Sequence, residues 1–224
     1  MSVEQAPPRA PFDGLQPSNG TFSEQDWALL ARQWFPVSRA DRVVARPRQV
    51  ILLDLRLAVY RMADGVHIGR DRCPHRGLQL STGRIEGDEL VCIYHGLRFG
   101  ADGQCRKAPE KLAFKAVDGF RITMFPAVER HGLVWTCLDP QGAPAIPDIH
   151  LKTEGAGPTG SDTSFNHLPE DWMDAAKFEF SNGEATIESS HHQSLRDLAR
   201  SEYRRLFDEM ALSTAPHAVQ PSRA

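Results

Sequence analysis

The sequence predicts a mainly β protein built of small antiparallel sheets, followed by a short α+β C-terminal extension. Three observations carry that prediction. Between about Val43 and Leu138, apolar runs of strand length alternate with turns rich in Gly, Asp and Pro. Helical periodicity is concentrated near residues 23–34 and again after residue 189. Two Cys–His pairs fall on turns inside the β region.

Taken in order, residues 1–20 are rich in Pro, Gly, Ser and Gln and read as a disordered lead-in. Ser23 is expected to cap a helix whose apolar face is Trp27, Leu30, Ala31 and Trp34, with Pro36 ending it. Runs 50–53, 57–62 and 66–68 read as strands, with Asp64-Gly65 as a turn. Glu86-Gly87-Asp88 turns the chain into 90–93, and Ala101-Asp102-Gly103 is another turn. Segments 120–125 and 133–138 are expected to pair antiparallel and to close a domain over 21–140. Residues 141–164, dense in Pro, Gly, Thr and Ser, read as a linker. The extension is placed at 165–212. In it, 177–181 and 184–188 alternate around Asn182-Gly183, a type I′ hairpin signal. Ser190 and Gln193 then read as a capping box. They open a helix with Leu195, Leu198, Leu206, Phe207 and Met210 on one side, a face that needs a partner and so suggests a docking element. Residues 213–224 read as a frayed tail.

The 224 residues allow one or two small domains, and 41% hydrophobic residues suffice for a sizeable core. A net charge of −3 argues against nucleic acid or an anionic membrane as the main partner. No apolar run approaches the roughly 20 residues of a membrane span, and the N-terminus has no signal-peptide pattern. The cysteines are Cys73, Cys92, Cys105 and Cys137, too few and too scattered for a disulfide framework. A cytoplasmic location is expected. Cys137, beside Trp135 in a strand pattern, reads as an apolar filler.

Cys73-Pro74-His75 and Cys92-Ile93-Tyr94-His95 are the chemically telling residues. The order C-x-H then C-x-x-H is the ligand set of a Rieske [2Fe–2S] cluster, with two thiolates on one iron and two imidazoles on the other. Cys73, His75, Cys92 and His95 are therefore the expected metal ligands. Pro74 stiffens the first loop, while Gly77 and Gly96 let the backbone fold close so that amides can point at sulfur. Zinc is the competing reading, since two Cys and two His also describe a zinc finger. The surrounding β pattern, without the finger's helix, argues against it.

These motifs, together with Gly96-Leu97-Arg98-Phe99, Trp34-Phe35-Pro36-Val37, Asp102-Gly103 and Gly132-Leu133-Val134-Trp135, resemble the N-terminal domain of Rieske non-heme iron oxygenases. The vanillate demethylase or phthalate dioxygenase type is most similar, over roughly residues 27–139. The resemblance implies a domain that accepts single electrons from a reductase or ferredoxin. It would pass them to a mononuclear iron for ring hydroxylation or demethylation. Respiratory Rieske proteins carry Ser and Tyr hydroxyls where this chain has Leu97 and Phe99, so the expected potential is low, about −150 mV. Arg72, Arg76, Arg98, Arg106 and Lys107 suggest a basic rim for an acidic donor.

The family's usual D-x-x-H-x-x-x-x-H iron signature is not found, and the 84 residues after Pro140 are too few for its catalytic domain. A mononuclear iron is therefore expected on a separate catalytic oxygenase subunit. The leading expectation is the iron–sulfur component of such a system. A stand-alone Rieske ferredoxin is the first alternative. An oxygenase with a shortened, atypical catalytic domain is the second, with His167, Asp171, Asp174, Glu188, His191, His192 and Asp197 as its loose candidates.

Overall fold

The computed structural model describes residues 15–18, 20–110, 117, 119–141, 143–146 and 189–212. Helix α1 spans Glu24–Leu30, and the Ser23 hydroxyl accepts from the Asp26 amide at 3.1 Å, as a capping residue should. The helix stops short of Trp34. Strand β1 (Phe35–Arg39) begins there, so Pro36 sits inside a strand instead of ending a helix. Its missing N–H is tolerated because β1 is an edge strand, paired only with β11 (Leu133–Thr136).

Three antiparallel sheets follow. The first has the order β1-β11-β10, with β10 at Val128–Arg130. The second is β2-β3-β4-β9: Arg48–Leu52, Leu55–Met62, Gly65–Arg70 and Met124–Phe125. The third is β5-β6-β7-β8: Arg84–Glu86, Glu89–Val91, Arg98–Phe99 and Cys105–Lys107. The mainly β prediction therefore holds. One pairing does not: 120–125 and 133–138 belong to different sheets. Phe125 pairs with Ile68 of β4, whereas β11 lies between β1 and β10.

Strand β3 divides two apolar cores. Leu55, Leu57 and Val59 face the first, with Trp27, Leu30, Phe35, Leu52 and Trp135. Ala58, Tyr60 and Met62 face the second, with Leu80, Leu90, Leu97, Phe99 and the thiols of Cys73 and Cys92. Burial on both sides explains why its sequence is apolar without clean alternation. Each fully buried Leu here contributes roughly 1.5–3 kcal/mol.

Helix α2 (Ser189–Leu212) returns to the first core. Leu195, Ala199, Tyr203, Leu206, Phe207 and Met210 are buried there, and the Tyr203 hydroxyl donates to the Trp34 carbonyl. The face expected to await a partner is thus covered by this chain's own β1 and α1. Ser190 lies within the helix, not at its cap. The hairpin expected around Asn182-Gly183 lies outside the described residues.

Candidate metal centre

Two loops with one frame present the expected ligands. In the first, which follows β4, the Cys73 amide donates to the Leu78 carbonyl at 2.7 Å and the Gly77 amide to the Cys73 carbonyl at 2.8 Å. In the second, joining β6 to β7, Cys92 N–H reaches Leu97 C=O at 2.9 Å and Gly96 N–H reaches Cys92 C=O at 2.9 Å. Both turns close through a glycine in the left-handed region, Gly77 at φ 76° and Gly96 at φ 69°. The histidine stands two residues after the cysteine in one loop and three after it in the other. Each imidazole therefore leaves its turn at a different point.

The four side chains meet as two like pairs. Cys73 and Cys92 are buried, unbridged and hydrogen-bonded to each other. The amides of His75 and Arg76 point at the Cys73 sulfur, and those of Tyr94 and His95 at the Cys92 sulfur. The thiol–thiol bond pulls Cys92 below the ordinary thiol range and pushes Cys73 above it, with burial adding to the rise. Four amides thus face the two sulfurs, an arrangement that stabilises negative charge on sulfur.

His75 Nδ1 and His95 Nδ1 face each other at 3.2 Å. Two nitrogens bound to one metal ion at about 2.1 Å would stand about 3.2–3.4 Å apart, so the pair is set for a shared ion. Burial, with His95 and Arg76 nearby, lowers the His75 pKa and favours the neutral imidazole that a metal requires. Among the described residues no three His, Cys, Asp or Glu side chains gather round one point. A two-by-two arrangement fits a two-iron cluster better than a single tetrahedral zinc.

Tyr94 lies tilted against His95, with ring centroids 3.8 Å apart and 38° between the planes, and Phe120 stands edge-on to His75 at 5.7 Å. Neither was singled out by sequence. Tyr94 lies inside the motif and could have been; Phe120 comes from a distant segment with no local signal.

The basic rim is only partly as expected. Arg98 is held by Glu89 and Glu86 at 2.6 Å each, and Arg106 by Asp102 at 2.9 Å. Arg72 and Arg76 instead join Arg56 and Arg70 along a groove of about 970 Å³ beside the first loop. Cys137 is the buried filler foreseen, its thiol pKa raised to about 12 by burial. Leu97 and Phe99 are fully buried. Of the loose mononuclear-iron candidates, His167, Asp171, Asp174 and Glu188 lie outside the described residues. His191 and His192 fall in the first turn of α2, and exposed Asp197 pairs with Arg200 at 3.3 Å.

Comparison with known proteins agrees with this geometry. Residues 33–121 match the Rieske [2Fe-2S] domain family. The oxygenase component of dicamba O-demethylase from Stenotrophomonas maltophilia is 34% identical over 132 residues, 57% of this chain and 39% of that protein. "Oxidoreductase NdmD" of Pseudomonas putida is 36% identical over 120 residues, 52% of this chain and 20% of the relative. The crystal structure of dicamba monooxygenase bound to dicamba superposes with a TM-score of 0.50 at 35% identity, over 54% of this chain and 37% of that one. The chain thus spans well under half the length of these relatives. Among the described residues no helix is long and apolar enough to cross a membrane. Two matching cysteine loops, a shared imidazole point and this family match converge: residues 33–121 are a Rieske [2Fe-2S] domain.

Proposed function

We propose that this chain is the electron-carrying iron–sulfur component of an aromatic-ring-hydroxylating or demethylating oxygenase system. Cys73 and Cys92 would hold one iron, and His75 and His95 the other. The observation that carries this reading is the pair of Nδ1 atoms 3.2 Å apart beside two buried free thiols. A cluster bound there supplies one-electron uptake and release. The chain's own part is to fix its surroundings. Amides of residues 75, 76, 94 and 95 stabilise sulfide-side charge. Leu97, Phe99 and Leu80 keep water from the thiol side, and the half-buried imidazoles mark the side from which electrons enter and leave. A reductase or ferredoxin would be the donor, and a mononuclear iron on another chain the acceptor.

The experiment is iron and acid-labile sulfide per chain on anaerobically purified protein. A ratio of two irons to two sulfides supports the electron-transfer component. Three to two would place a mononuclear iron on this chain and favour the shortened oxygenase. A stand-alone electron carrier is the second reading. It is favoured by the relative named as an oxidoreductase, only a fifth of which matches this chain. Co-purification separates the two, because an obligate component brings its oxygenase subunit with it and a free carrier does not.

A further inference from the structure

We propose that the groove beside the first cysteine loop is the docking face for an acidic one-electron carrier protein, a reading that rests on the cluster assignment above. The groove is lined by Arg56 and Arg70 from the second sheet and by Arg72 and Arg76 flanking Cys73-Pro74-His75. Among the described residues none of these four guanidiniums makes an ion pair. Arg84, Arg98 and Arg106, by contrast, are each held by a carboxylate. The groove's two carboxylates are already engaged. Asp71 accepts from the Ser81 amide at 2.6 Å, the Ser81 hydroxyl at 2.7 Å and Gln49 Nε2 at 2.7 Å. Asp54 accepts from the Thr21 amide at 2.5 Å. Four cations and two anions leave the groove positive, in a chain whose total charge is −3.

Its position gives the charge a use. Gly77 and Arg76 belong to the loop that carries His75, so a partner seated there lies beside the imidazole side of the site. Arg72 Nε is 3.3 Å from the place a Cβ on Gly77 would occupy, which puts the guanidinium over the turn itself. Exposed apolar groups lie in the groove and on the second loop, whose His95 meets His75 of the first loop at 3.2 Å. Ile93 and Tyr94 are 53% and 58% exposed at the tip of the second loop, and 39% exposed Ile51 lines the groove. Exposed apolar groups next to the electron-exit ligand, flanked by unpaired cations, suit a brief electrostatically steered encounter. Three of the four arginines are exposed, and the four together span two strands and a loop, which fits a protein surface better than one small anion.

The test is stopped-flow reduction of the cluster-loaded full chain by two donors. One is an acidic plant-type ferredoxin and the other is reduced methyl viologen, a small radical monocation. With ferredoxin, the second-order rate should fall as ionic strength rises, and Arg56→Gln with Arg72→Gln should together lower it about tenfold. Neither variant should slow viologen, and Arg106→Gln, which removes one positive charge elsewhere as each single groove variant does, should not slow ferredoxin. A salt-independent ferredoxin rate, or an equal loss in Arg106→Gln, overturns the docking face. Arg56→Gln, remote in sequence from the cysteines, keeps the test valid if Arg72→Gln loads no cluster. A wild-type chain without a cluster spectrum refutes the site reading itself, and this inference with it.

Discussion

His75 and His95 reach one point from unequal places, two residues after one cysteine and three after the other, because their loops share the same hydrogen-bonded frame. That geometry makes residue-level chemistry testable. His75→Cys should keep a two-iron cluster but lower its potential by on the order of 100 mV, since a thiolate adds charge that a neutral imidazole does not. Redox titration followed by visible absorption checks this, and an unchanged potential would remove His75 from the ligand set. The four candidate ligands were legible because metal chemistry restricts residue type and spacing together. The arginines were not: by sequence Arg98 and Arg106 are equivalent to Arg72 and Arg76, and only the fold shows that strand pairing brings Glu89 and Glu86 to Arg98 and that the β7–β8 turn brings Asp102 to Arg106.

Among the elements, the β2–β3 connection shows where sequence reading stops. The sequence reads as strands over 50–53 and 57–62 with 54–56 between them, yet the connection is tighter: Leu53 and Asp54 form the turn at φ 47° and 64°, and β3 begins at Leu55. Left-handed backbone without glycine costs about 1–2 kcal/mol per residue. Distant partners offset it. Trp27 Nε1 donates to the Leu53 carbonyl, the Leu53 amide donates to buried Glu202 at 2.9 Å, and the Thr21 amide reaches Asp54. Two of those clamps come from α1 and α2, and no local window contains them. The helices themselves were legible from their apolar spacing, but what α2 covers was not. Leu206→Ala, at a fully buried position of α2, should cost about 2–5 kcal/mol in urea unfolding. It should leave the cluster spectrum intact, because Leu206 lies in the core away from the cysteines.

Across the whole molecule, Arg61 links sheets. Its guanidinium takes both Glu129 oxygens at 2.9 Å, joining β3 to β10, and reaches the Val43 carbonyl at 2.8 Å. The Arg61 hydrogen bond holds Glu129 below its ordinary value of 4.5. A depressed carboxylate contributes stability above the unfolded pKa and loses it as pH falls through the folded one. Glu129→Gln should therefore cost about 0.5 kcal/mol at pH 7, screened as a half-exposed pair is, and almost nothing at about pH 3. Urea midpoints at the two pH values check it. The division by β3 has a kinetic consequence. Its amides lie between β2 and β4, with a separate core against each face. Solvent reaches them only when both cores open together. In deuterium exchange, the amides of 57–60 should report global unfolding, the slowest class in the molecule. Stripping iron with a chelator should speed exchange around β6 and β7 and leave α2 protected, so that one chain opens in two stages.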